Sequence, residues 1–171
     1  RSSYSWPGVV RNLRNRGPEC SMNTDLKDVY DVIVLGAGAG GMTAAVVAAT
    51  EGLETLVVEK TDFVGGTTSF SGGMCWVPNN FQQGDVGSTD TLEQAEKYLN
   101  EIAGDGAGAG LRGCFLQRGP EAVDYLNKNS DVKLVPLAFY PDYYPDAVGA
   151  TTGGRVMEPL PFDARELGSD F

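Results

Sequence analysis

The chain contains no histidine, and its three cysteines, Cys20, Cys75 and Cys114, form no Cys-x-x-Cys pair. Zinc takes clustered Cys and His ligands, so no metal site is expected. The same absence removes a Ser-His or Cys-His nucleophile. Scattered cysteines of odd number suit reduced thiols and point to a cytoplasmic compartment. No apolar run nears the roughly 20 residues that cross a bilayer, so no integral membrane segment is expected. Basic residues are few: 13 Lys and Arg stand against 23 Asp and Glu, a net charge of −10. That balance argues against nucleic acid or an anionic membrane surface as partner.

What is present is an ordinary globular composition, 42% hydrophobic, over 171 residues, enough for about one domain. The first segment, RSSYSWPGVVRNLRNRGPECS, sets Arg1, Arg11, Arg14 and Arg16 against Glu19. It lacks the apolar stretch of a secretory signal. Met22 then opens NTDLKDVYDVIVLG, a natural lead into a strand. Residues 1–28 are therefore expected to form a tail outside the fold, with 1–21 upstream or non-native sequence. A weak transit peptide is the alternative.

Val29 to Leu35 is β-branched and apolar almost throughout and reads as a buried strand. Gly38 to Gly52 is rich in Ala and Val and reads as a helix, and Glu54 to Glu59 as a second strand. Together they have the length of one βαβ unit, about 30 residues. Lys60 to Pro78 is a Gly- and Ser-rich loop. A capping box over Asp90 to Glu93 predicts a helix start, with Leu92, Ala95, Leu99 and Ile102 on its apolar face. GDGAGAG at 104–110 follows that helix and reads as a flexible connector. A second helix is expected over 111–126, broken near Gly119-Pro120. A strand over 132–140 is expected to be interrupted at Pro136. Asp163 to Glu166 is another capping box close to the last residue, which suggests truncation.

The glycines of GAGAGG carry the chemistry. Gly36, Gly38 and Gly41 stand at G-x-G-x-x-G spacing between the first strand and the helix, and Glu59 ends the second strand about 20 residues on. Gly36 permits the tight turn, Gly38 lets a pyrophosphate approach the backbone, and Gly41 lets helix and strand pack closely. The N–H groups of the turn, over Ala37, Ala39 and Gly40 as well, sit at the positive end of the helix dipole. Glu59 can accept hydrogen bonds from ribose hydroxyls and would repel a 2′-phosphate, which disfavours NADP.

The fingerprint alone does not separate NAD from FAD. The next stretch does. EKTDFVGGTTSFSGGMCWVP resembles the fumarate reductase/succinate dehydrogenase flavoprotein superfamily. The resemblance implies FAD, with Lys60, Gly66, Thr67, Thr68, Ser71, Gly72 and Gly73 running from the pyrophosphate toward the isoalloxazine. Superfamily members that attach FAD covalently here use a histidine, so non-covalent FAD is expected. Within the superfamily, VLGAGAGGMTAA, GPEAVDYL and FYPDYYPDAVGATTGGRVMEPLPFDARELG are most similar to 3-ketosteroid Δ1-dehydrogenases. In that family a flavin takes a hydride from C1 of a 3-ketosteroid while a tyrosine removes a proton from C2. The resemblance implies that Tyr143 is the second tyrosine, which supports that base by stabilising its anion. Tyr140, Asp142 and Asp146 read as structural, the two aspartates as exposed. Arg155 reads as a turn-anchoring surface charge, with a phosphate contact as the alternative.

The fold class expected is α/β: a Rossmann-like βαβ FAD-binding unit over 29–78, then the start of a mixed α+β region over 79–171, an incomplete domain. The expected substrate is a small apolar 3-ketosteroid, and no pattern selects an electron acceptor. The rival readings are a ketosteroid Δ4-dehydrogenase, a fumarate-reductase-like enzyme and a non-catalytic nucleotide-binding fragment. A dicarboxylate substrate would require clustered Arg or His, which the segment lacks.

Overall fold

A computed structural model describes residues 9–11, 26–104, 108–163, 165–166 and 168. The chain divides into two compact units between Gly72 and Gly73.

The first unit is built on a three-stranded parallel sheet. Strand β2 (Val32–Leu35) leads into helix α1 (Ala39–Thr50), which returns the chain to strand β3 (Thr55–Glu59). Strands β2 and β3 pair in parallel, with Ile33 opposite Leu56 and Leu35 opposite Val58. Val34, Ala37, Ala45 and Val57 form the core, with Val32 and Met42 packed on it. Small residues on α1 allow this close approach to the sheet. The expectation of a strand buried on both faces is corrected. Val34 is buried, but Ile33 and Leu35 are 58% and 81% exposed. In the described residues α1 covers one face of the sheet only.

A second correction concerns the tail. Val9–Arg11 forms strand β1, paired in parallel with β3, Val9 opposite Val57. Strand β3 is thus central, and β1 takes up the N–H and C=O groups on its side away from β2, which would otherwise form an edge. The rest of 1–25 lies outside the described residues.

The second unit holds an antiparallel sheet in the order β4-β6-β5, from Cys75–Trp76, Val156–Pro159 and Leu134–Pro136. Its core is Val77, Val123, Leu134 and Met157, with Cys75 against them. Helix α2 (Leu92–Ala103) is capped by Thr91, whose Oγ1 accepts from Gln94 N–H at 3.2 Å. The cap is thus one residue later than expected, because the Asp90 carboxylate turns inward. The inward face of α2 is also shifted: Ala95 and Tyr98 are buried while Leu92 and Ile102 are exposed.

Helix α3 (Ala109–Asn129) runs unbroken through Pro120. The usual clash of a proline with the preceding residue's Cβ is absent because Gly119 has none. Gly104 closes α2 and Gly108 opens α3; residues 105–107 of the expected connector lie outside the described residues. The strand expected over 132–140 is confined to Leu134–Pro136. At Asp163 the described turn is a single one, Glu166 N–H donating to Asp163 O at 2.9 Å. Among the described residues no helix is long and apolar enough to cross a membrane.

Candidate cofactor site

The glycine turn joins β2 to α1, and each glycine has a separate steric reason. Gly36 has φ +98°, a backbone state that side chains disfavour. A Cβ at Gly41 would lie 1.9 Å from the Gly36 carbonyl oxygen and 3.3 Å from Val34 Cγ1. A Cβ at Gly38 would meet nothing within 4 Å, which leaves open space where an anion can reach the backbone. Helix α1 has no acidic residue in its first turn to compete for that position. Ala39 and Gly40 are exposed there.

Glu59 closes the turn from the other strand. It is 6% exposed at the end of β3. Its Oε2 accepts from Ala37 N–H at 2.8 Å, and its Oε1 accepts from Thr61 N–H at 3.0 Å. These bonds to the charged form, Ala37 first, hold the carboxyl below its ordinary value. The Ala37 N–H is therefore engaged by Glu59, and Ala37 serves the site through its place in the turn. Lys60, next in the chain, is exposed.

The Gly-rich loop folds back onto the same turn. Gly65 N–H donates to Ala37 O at 2.9 Å. Gly66 has φ +53°, and a Cβ there would lie 3.2 Å from Gly38 Cα. Thr67 and Thr68 follow in a short 3-10 turn over Gly66–Phe70 and are exposed. Ser71 Oγ donates to Thr68 O at 2.8 Å. The first unit thus brings together Gly36 to Gly41, Glu59, Gly66, Thr67 and Thr68, with Ser71 and Gly72 continuing the loop. Gly73 and Tyr143 belong to the second unit.

In that unit Tyr143 is 88% exposed. Its neighbours are tied down on both sides. Asp142 is buried, and Tyr144 N–H donates to the Tyr98 hydroxyl at 3.3 Å. The Tyr143 side chain is thus set outward from a fixed backbone.

Two readings of this region are corrected. Arg155 is fully buried rather than a surface charge. It donates to both oxygens of Asp90, at 2.9 and 2.6 Å, and to Asp142 Oδ2 at 2.7 Å. Its guanidinium carbon lies 5.5 Å from the centres of the Trp76 and Tyr98 rings. Asp142 is not exposed either: it also accepts from Trp76 Nε1 at 2.6 Å and Thr151 N–H at 2.9 Å. Asp146 is exposed. The sequence carries no local signal for this cluster, since Asp90 lies 65 positions from Arg155. Thr61 was also missed; two residues past an acidic strand end it has no motif of its own.

A βαβ unit with this glycine turn, an acid closing the second strand and a loop folded back on both defines a dinucleotide-binding protein. The chain belongs to the FAD binding domain family, whose model matches residues 31–170. A 3-oxosteroid 1-dehydrogenase of Mycolicibacterium smegmatis is 48% identical over 83% of this chain and 25% of its own length. A 4-oxocyclohex-2-ene-1-carboxylate 5-dehydrogenase of Sinomonas cyclohexanicum is 44% identical over 81% of the chain and 23% of its own length. The solved 3-ketosteroid Δ1-dehydrogenase of Sterolibacterium denitrificans, in complex with 1,4-androstadiene-3,17-dione, matches with a TM-score of 0.73 and 44% identity. That match covers 84% of this chain and 25% of the other. The chain therefore spans about a quarter of the length of these relatives.

Proposed function

We propose that this chain is the FAD-binding portion of a dehydrogenase that acts on a 3-ketosteroid ring. The observation that carries the reading is the Gly36 to Gly41 turn, open at Gly38 and closed by Glu59, in a chain 48% identical to a 3-oxosteroid 1-dehydrogenase. FAD, when bound, supplies the two-electron acceptor. The chain's own residues do the holding. The α1 N-terminus and the turn take the pyrophosphate, Glu59 takes the ribose, and the loop from Gly66 to Gly73 continues toward the ring system. Superfamily members that attach FAD in this region use a histidine, and the chain has none, which supports a non-covalent hold.

Dehydrogenation beside a ketone needs a base for the proton on the carbon next to the carbonyl. A phenol has an ordinary pKa of about 10 and serves at neutral pH only if its anion is stabilised. Tyr143 fits the supporting role: its hydroxyl is exposed on a backbone fixed by Asp142 and Tyr144. Phe139, Tyr143 and Tyr144 offer exposed aromatic surface, suited to a flat apolar substrate. A dicarboxylate reading is weakened because Arg155 is spent on two aspartates. The free thiols of Cys75 and Cys114 suit a reducing cytoplasm.

The test is reduction of an artificial acceptor dye by the protein extended to its relatives' length. A 3-ketosteroid with a saturated C1–C2 bond is expected to drive it. Dye reduction driven by succinate and none by the steroid would overturn the reading. Acid precipitation is expected to release the flavin into the supernatant.

A further inference from the structure

The two carboxylate oxygens of Glu59 are unequally loaded. Oε2 accepts one bond, from Ala37 N–H at 2.8 Å. Oε1 faces two donors of one residue, the N–H and the hydroxyl of Thr61, each at 3.0 Å. The Thr61 hydroxyl has a single proton and a second acceptor in reach, the Phe63 carbonyl at 2.9 Å. It can serve Glu59 or Phe63, not both together. The charged oxygen is the stronger acceptor, so in the chain by itself the proton belongs to Glu59. Thr61 is exposed at the mouth of the turn, where a ligand can displace it.

We propose that Thr61 is a positioning residue whose hydroxyl has two stations. On Glu59 Oε1 it fixes the carboxylate plane, so that Oε2 holds Ala37 N–H and the glycine turn is formed in advance. When a ribose hydroxyl arrives at Oε1, the Thr61 proton turns to the Phe63 carbonyl. Glu59 then offers Oε1 and the remaining lone pair of Oε2 to a vicinal diol. With the ribose in place each acceptor has a donor, and in the chain by itself the carbonyl of the exposed Phe63 is left to water, so the exchange costs little. The ribose half of this inference rests on the FAD reading; the clamp on Ala37 does not.

The test uses the full chain and Thr61→Val, which keeps the shape and the backbone N–H but deletes the hydroxyl. Thr61→Ala repeats the deletion with a smaller side chain, and Thr61→Ser restores the donor. The first readout is amide hydrogen exchange at Ala37 without ligand. Thr61→Val and Thr61→Ala are expected to exchange about tenfold faster than the parent, and Thr61→Ser like the parent. Unchanged exchange in both deletions would overturn the clamp.

The second readout is flavin affinity by fluorescence quenching. FMN lacks the adenosine ribose, so Thr61→Val is expected to weaken FAD about tenfold and leave FMN unchanged. Equal loss for both flavins, or loss for neither, would overturn the ribose exchange. A parent chain that binds neither flavin would refute the FAD reading and the ribose exchange together, and Ala37 exchange would still decide the clamp.

Discussion

Gly41 and Glu59 show what single residues do at this site. A methyl at Gly41 would fall 1.9 Å from a backbone oxygen, so turn and helix must separate to admit it. Gly41→Ala is expected to cost about 1–3 kcal/mol, read in a urea melt, and to weaken FAD binding. Glu59 makes the first unit sensitive to acid. Its carboxyl is held below its ordinary value by Ala37 N–H first and then by Thr61. A group of that kind contributes stability that is fully present above the ordinary carboxylate range. The contribution is lost as pH falls through the lowered folded-state value. Urea melts from neutral pH to about pH 3 are expected to show this loss. Glu59→Gln should flatten that part of the curve; an equally steep curve would place the acid sensitivity elsewhere. The glycine spacing and the acid were legible because each does its work within a short stretch of chain. The partner of the acid, Ala37 N–H, was not, because it depends on how the turn is folded.

At the scale of elements, α2 separates two neighbouring residues that sequence patterns treat alike. Thr91 caps the helix, and Asp90 faces Arg155. Thr91→Ala is expected to cost about 1 kcal/mol in thermal or urea unfolding, and Thr91→Ser very little. Arg155 joins the residue before the α2 cap, the turn before β6 and the Asp142 loop, and lies over Trp76 of β4. Arg155→Met would leave two buried carboxylates without their cation. The expected loss is about 3–5 kcal/mol, with the near-ultraviolet signal of Trp76 changed. A loss no larger than that of Thr91→Ala would show that water reaches the cluster. The capping signal was legible to within one residue. The continuity of α3 was not, because Pro120 reads as a break unless the missing Cβ of Gly119 is given its steric weight.

At the scale of the molecule, the sheet of the first unit has, among the described residues, one face covered and one open. Ile33 and Leu35 stand exposed beside each other's row on β2. Parallel sheets are ordinarily covered on both faces. The chain spans about a quarter of its relatives' length, and this face is expected to be sticky in the chain by itself. It should bind a hydrophobic dye and self-associate at high concentration. Replacing both Ile33 and Leu35 with Thr is expected to lower dye binding at a stability cost within about 0.5 kcal/mol. A large loss of stability instead would show that the face is covered after all.

The sequence by itself determined the βαβ unit, the glycine turn, the acid at the end of β3 and the resemblance that points to FAD. These depend on local spacing, on hydrophobic period and on residues that touch their neighbours in the chain. Only the tertiary structure decided the antiparallel sheet of the second unit, the pairing of Val9–Arg11 with β3, and the turning of Asp90, Asp142 and Arg155 into one buried cluster. Each joins segments far apart in sequence. Their geometry follows from unpaired backbone edges and buried charges that must find partners wherever the fold brings them.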